Sequence, residues 1–479
     1  MTDMPWEPYS LDSAARLREL FVLDQDNLDH VLRAAGVRLQ PLPTKGERST
    51  WTIVDTFDWR LLRSGSVVAL MNGQLQLFPT GTAPTKPSPE QLLRVARSPV
   101  PAPIEVEVPQ RLRRKAEPRA LLELGRRSLS RKLYEIRNRE AKLLGFQESW
   151  LIDGRSPLAI VRVHALRGFG RDLGTWYGEA EVGAVHLADK LAAAIGRAPG
   201  DYNAKVLFAP VPAQSIHDAY RELVLTLTGV MQAAVPGIRR RLDIEFLHDF
   251  RVAFRALRSL IKDVAIERPS KSLQAQLRAL STLTGAARDL DVAILDQSTE
   301  PDRQIAVALG AHRSRLEAEC KRCYAELIAY LDSWDARRFV QALLDLELPA
   351  GTVGEHGAKV TQRRRRSLSK ARKSLASAYK RRGAAVPDEQ IHDVRIKGKR
   401  MRYTQELFGG NSSRSMRRFQ DRLGDYNDLV VSEERLKAQA EMSEWSDHRV
   451  SIGYQLARVQ EEKRTARASV LDLIAKGKL

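Results

Sequence analysis

The chain has 479 residues, 43% hydrophobic and 29% charged, with a net charge of +19 and a pI near 10.0. That profile belongs to a globular protein of two or three domains with substantial cores. It excludes a disulfide-stapled scaffold, because Cys320 and Cys323 are the only cysteines, and a helical membrane protein, because no apolar run approaches the roughly 18–20 residues a span requires. The opening residues, Met1–Ser13, lack the basic and apolar segments of a secretory signal, so a cytoplasmic location and no membrane partner are expected. So large a positive excess points to polyanionic partners: nucleic acid, anionic surfaces or phosphate polymers.

Residues 1–200 read as a mixed domain rich in strands. Ser49–Asp55, Ser66–Phe78 and Arg131–Leu144 carry β-branched, aromatic and other apolar residues in partial alternation. Asn72-Gly73 between apolar flanks signals a type I′ hairpin turn. The proline-rich stretch Pro79–Pro103 predicts a loop or crossover between strands. Val182, Val185, Leu187, Leu191 and Ile195 recur at helical spacing and predict a helix over Glu179–Gly196. Pro199–Pro212 breaks the composition, and we place a linker at 201–214. From about Ser215 the chain reads as helical, with Pro269, Pro301, Pro349–Gly351 and Gly409-Gly410 at helix ends.

The helical region is duplicated. His248, Asp249, Arg251, Arg255 and Arg258 recur as His392, Asp393, Arg395, Lys399 and Arg402, 144 residues later. Downstream of each row, Gly285…Asp289 matches Gly424…Asp428. Repetition on this scale predicts two similar helical bundles packed as pseudo-symmetric halves. Offsets of 0, 3, 7 and 10 place each His and its basic residues within an arc of about 80°, in a row about 15 Å long. The apolar residues between them (Val252, Phe254, Leu257 and Leu260; Val394, Ile396 and Met401) can face the bundle. The bland alternative is a solvated face laced with i,i+4 carboxylates. No acidic residue stands four positions from Arg251, Arg255, Arg395 or Lys399, and like charges so close repel unless an anion neutralises them. The charge is also local: Lys359–Arg422 holds 20 Lys/Arg against 5 Asp/Glu, or +15 in 64 residues. Each histidine could add a donor and a charge, or could simply cap a helix or fill the core.

The strings HDFRVAFRALRSL with GAARDLD, and HDVRIKGKRMRYTQELF with LGDYNDL, resemble the CHAD family, the conserved-histidine α-helical domains. The resemblance covers about residues 215–479, with halves of about 215–350 and 351–479. It implies a two-bundle all-α fold that binds inorganic polyphosphate in a basic central groove or pore, without catalysis. Carried over position by position, the contacts are His248, Arg251, Arg255 and Arg258, with His392, Arg395, Lys399 and Arg402. Lys262, Arg363, Arg366, Lys370, Lys373, Arg400 and Arg418 are secondary candidates, for each of which solvated surface is the competing reading. Two departures stand out: Ala256 sits where a second basic residue is common, and Gly398 interrupts the second helix.

The N-terminal region is similar to the CYTH superfamily of triphosphate-tunnel proteins, through VDTFDWRLLRSGSVVAL, RKLYEIRNREAKLLG and Leu166–Gly168. Arg131, Glu135, Arg137 and Arg139 would then form a polar tunnel wall; a solvated strand face explains them equally. Hydrolytic members carry E-x-E-x-K on the first strand to hold Mg²⁺. This chain has only Glu105-Val-Glu107-Val-Pro109, after the hairpin, so the domain reads as degenerate and at best a weak phosphate binder. The expected class is α+β: a mostly antiparallel tunnel- or barrel-like sheet domain with helices, then the paired helical bundles. No catalytic residue, metal site or cofactor is expected, and Cys320-x-x-Cys323 lacks the second pair a zinc site needs. The partner expected is inorganic polyphosphate, in the cytoplasm and on polyphosphate granules, with nucleic acid bound only as a non-specific polyanion. A triphosphate or polyphosphate hydrolase in the N-terminal domain and a nucleic-acid binder are the rival readings.

Overall fold

A computed structural model describes residues 20–43, 48–71, 73–79, 88–98, 100–152, 158–180, 200–204, 211–295, 303–408 and 414–475. The chain forms two compact units, one of residues 1–204 with 240–245, the other of 205–239 with 246–479.

The first unit is a curled antiparallel sheet with helices. Its strands are β1 (Leu20–Asp24), β2 (Arg38–Pro41), β3 (Arg48–Thr56), β4 (Ser66–Met71), β5 (Gln74–Pro79), β6 (Leu121–Arg137), β7 (Leu143–Ile152) and β8 (Leu158–Ala165). They run in the order β1-β8-β7-β6-β3-β4-β5. The 17-residue β6 is long enough to pair with β3 along its first part and with β2 along its last. Helices α1 (Gln25–Ala34) and α5 (Gly170–Glu179) bury Leu28, Leu32, Leu173 and Tyr177 with Ile136, Leu144, Val161 and Val163 of the sheet. Helices α2 (Arg60–Arg63) and α4 (Gln110–Ala116) supply Leu61 and Leu112 to a second core with Val54, Val68 and Leu75.

The hairpin signal holds: Met71 pairs with Gln74 and Gly73 has φ +78°, although Asn72 lies outside the described residues. Two expectations need correction. Pro79–Pro103 is not merely a loop, because helix α3 (Pro89–Arg97) starts there on a capping box between Ser88 and Gln91, with proline tolerated at its first turn. Arg131–Leu144 is not one strand: the chain turns after Arg137, where Asn138 accepts from the Glu140 and Lys142 amides and Ala141 takes φ +60°. Arg139 therefore stands in the turn and not on a sheet face. The three expected wall residues that remain on β6 are half-buried and paired, Arg131 with Glu148 at 2.5 Å and Arg137 with Glu135 at 2.8 Å. Most of the helix expected over Glu179–Gly196 lies outside the described residues, as do Pro301 and Gly409-Gly410.

The second unit is helical: α6 (Ile216–Arg240), α7 (Ile244–Val264), α8 (Lys271–Leu295), α9 (Arg303–Ser333), α10 (Ala336–Leu344), α11 (Val353–Arg382), α12 (Asp388–Leu407), α13 (Arg414–Glu441) and α14 (Arg449–Ala475). Pro269 and Pro349–Gly351 fall between helices, as expected. In the second half Leu375, Val394, Leu423 and Val470, one from each of α11 to α14, meet in a single core. In the first half Phe250 of α7 packs edge-on against Trp334, which in turn meets Phe339 of α10, and Tyr220 of α6 donates to the Leu343 carbonyl at 2.9 Å. Gly398 does not interrupt α12, which runs unbroken through it; a Cβ there would lie 1.7 Å from Gln420 Nε2, so the missing side chain makes room for the buried Gln420 of α13.

The crossing of α6 and α7 uses the same device. A Cβ on Gly237 would meet the ring of fully buried Phe246 at 2.3 Å. Gly237→Ala should destabilise the helical unit by about 1–3 kcal/mol through overpacking. A lowered urea midpoint followed by far-UV circular dichroism checks this; an unchanged midpoint would mean that the ring can step aside.

Candidate functional site

Helices α7 and α12 carry the repeated rows. Each buries an apolar face (Phe250, Phe254 and Leu257; Ile391, Val394 and Met401). The basic residues of both rows are half-buried at the edge of those faces, as is His248, while His392 is exposed. The rows converge at their middles. Arg255 of α7 lies within electrostatic range of both Arg395 and Lys399 of α12. Among the described residues Arg255 and Lys399 have no ion-pair partner, and the Arg255 Nε is buried without a hydrogen bond.

The other row members are tethered. Arg251 donates to Thr284 Oγ1 at 3.3 Å and feels Asp289, while Arg395 pairs with Asp428 at 3.5 Å. The matched aspartates of α8 and α13 thus serve matched arginines. Arg258 donates to Ser281 Oγ at 2.9 Å and lies over the Phe254 ring. Arg402 lies over Tyr403 and pairs with Glu406 at 3.5 Å, an i,i+4 partner of the kind absent further up the row. His392 Nδ1 lies 2.7 Å from Asn427 Oδ1, so Asn427 of α13 orients the ring. Asp393, next to it in sequence, is held instead by Lys397 at 2.7 Å. Gly285 sits close under the Arg251 guanidinium, 3.3 Å from its would-be Cβ, whereas nothing lies within 4 Å of that position at Gly424; close helix approach explains only the first.

Of the secondary candidates, Lys262 comes together with Arg258, with Arg400 and with Arg364 of α11. Arg363, Arg366, Lys370, Lys373 and Arg418 are solvent-exposed. Arg435 of α13, which also feels Asp289, and Asn427 were not singled out from the sequence. Asn427 is aligned with Arg288, so the repeat that reveals the rows hides it. Cys320 is buried against Asp291 and Cys323 is part-exposed.

Partial burial pulls the guanidinium pKa down at Arg251 and Arg395, against the opposing carboxylates. It acts most visibly on Lys399, whose pKa falls to about 8 under burial and the neighbouring Arg395 and Arg255 charges. A cavity of about 460 Å³ opens beside the head of the second row, lined by His392, Arg395, Tyr426 and Asn427 together with Asp388, Glu389, Glu433, Glu434, Lys437 and Lys463. Its four carboxylates outnumber its three Lys and Arg cations, so the uncompensated positive charge lies along the rows.

Residues 222–437 match the family model of the CHAD domain, and the helical unit contains that domain. Two uncharacterized proteins of Mycobacterium tuberculosis, from strains CDC 1551 / Oshkosh and H37Rv, are each 34% identical to this chain over 243 residues. The match covers 48% of this chain and 46% of each relative, so it spans about half the length of those proteins. A crystal structure of the CHAD domain from the plant Ricinus communis is similar at 24% identity and a TM-score of 0.47, covering 58% of this chain and 96% of that one.

Lys399 predicts a pH signature. The free amine is half-charged near pH 8, and a bound polyanion favours the charged form, so binding takes up a proton and affinity falls as pH rises. Affinity for any polyanion seated at Lys399 should drop by about tenfold at most between pH 7 and 9, and Lys399→Arg should flatten the profile. Calorimetric titrations at three pH values read both; a flat wild-type profile would place the anion away from Lys399.

Proposed function

Taking the helical unit as the bearer of a CHAD domain, we propose that this protein binds inorganic polyphosphate, without hydrolysing it, along the groove where the α7 and α12 rows meet. The observation that carries the reading is the convergence of Arg255 with Arg395 and Lys399, with Arg255 and Lys399 lacking any ion-pair partner among the described residues. Folding half-buries like charges together only at a cost, and a phosphate thread is the ligand that removes it. Arginine forks grip phosphate oxygens in pairs, Lys399 adds a mobile point charge, and release of counterions from the polymer supplies affinity, as it does for nucleic-acid backbones. His392 and His248 would add donors at the heads of the rows.

The N-terminal sheet enters the same proposal as a non-catalytic partner domain. The pairing of Arg131 and Arg162 with the buried Glu148 supports this, since cations already neutralised by the sheet have little left for phosphate. We place the protein in the cytoplasm and on polyphosphate granules; fluorescence of a tagged chain against a granule stain tests that placement.

Arg255→Ala and Lys399→Ala should each weaken binding of long-chain polyphosphate by about 1–3 kcal/mol. Arg337→Ala with Arg338→Ala, on α10 outside the rows, should change little. Fluorescence polarisation with RNA as competitor completes the test: at equal phosphate concentration polyphosphate should displace RNA, and the reverse would sink the assignment. Phosphate release from tripolyphosphate with Mg²⁺ or Mn²⁺ would overturn the non-catalytic part.

A further inference from the structure

Two carboxylates stand among the groove cations. Asp428 holds Arg395 at 3.5 Å, with the Asp428 side chain 70% exposed and that of Arg395 only 14% exposed. Its repeat counterpart Asp289, also exposed, lies within electrostatic range of Arg251, of Arg435 and of Asp428 itself. Arg395 is therefore held by Asp428 in an ion pair, whereas Asp289 acts on Arg251, and Asp428 on Lys399, only through the field; Arg255 and Lys399 have no ion-pair partner among the described residues. The two aspartates also repel each other. An ion pair with so exposed a carboxylate is a weak, displaceable contact rather than an anchor.

Resting on the polyphosphate reading, we propose that Asp289 and Asp428 form a charge filter that makes the groove prefer long phosphate chains to short ones. A short anion can seat at Arg255 and Lys399, but there it faces two carboxylates. It reaches Arg395 only by evicting Asp428, an exchange close to neutral, and at Arg251 it meets the opposing field of Asp289. A long chain anchored at the middle presents its neighbouring phosphates to those arginines at high effective concentration, so the eviction of Asp428 and the approach to Arg251 become intramolecular. Paired contacts between a guanidinium and phosphate oxygens then outweigh the single exposed contacts they replace.

The test uses the full chain and the double variant Asp289→Asn/Asp428→Asn, titrated calorimetrically with tripolyphosphate and with long-chain polyphosphate at one ionic strength. The expected result is at least a fivefold gain for tripolyphosphate with no more than a twofold change for the long chain, so that the preference narrows. Weaker binding of both ligands would make the aspartates positioning groups for the arginines and overturn the filter, as would an unchanged ratio. Wild-type protein that binds neither ligand would sink the underlying polyphosphate reading itself. Should the double variant unfold, Asp428→Asn alone, at the more exposed position, should narrow the ratio in the same direction; an unchanged ratio there also overturns the proposal.

Discussion

Holding Arg255 against Arg395 and Lys399 is the demand that the rest of the helical unit meets. Two like charges 4 Å apart repel by about 1 kcal/mol in bulk water and about 4 kcal/mol at the effective dielectric near a protein surface. Each fully buried Leu, Val or Phe contributes about 1.5–3 kcal/mol, so the cores on either side of the groove outweigh the repulsion. Those cores put α7 and α12 where packing requires, and the cationic edges follow because row and apolar face share one helix.

Cores set the positions of helices loosely; polar contacts fix their registration. Asp263, at the end of α7, is buried and ties together three helices. Its carboxylate accepts from Arg364 of α11 and, at 2.6 Å, from Thr404 of α12, while its carbonyl accepts from His356 Nε2 at 2.9 Å. One residue of the first half is thereby clamped to two helices of the second, close to where Lys262, Arg400 and Arg364 gather. The arginine nearest this clamp, Arg364, is spent on structure.

The sequence made the rows legible because duplication is a strong signal. Four matched positions at offsets 0, 3, 7 and 10 define a helical face without knowledge of any partner, and the period-2 runs of β3 and the β4–β5 hairpin were legible for the same reason. What stayed hidden depends on pairs far apart in sequence. Nothing local marks Asp263 as a clamp, Asn427 as the partner of His392, or Gln420 as the side chain that fills the space over Gly398. Helix α3 was masked by its prolines, which read as loop when counted and as a helix start when placed after Ser88. The turn at Asn138 was overlooked because polar residues on either side continued the alternation of β6.

The duplication also does not produce equal halves, and the differences give the groove a direction. Extending the alignment of His248 with His392 by one turn sets Lys262 against Glu406. On α7 the row therefore continues, and Lys262 joins Arg258, Arg400 and Arg364; on α12 it is closed by Glu406, which neutralises Arg402 at 3.5 Å. Ala256 lacks the charge that its counterpart Arg400 supplies, but Arg400 is the residue that meets Lys262. The charge missing from the first helix is made good by the second at the same end of the groove. The differences at 256, 262, 400 and 406 gather cations toward the α7 C-terminal end, so the field along the paired rows is stronger on one side than on the other.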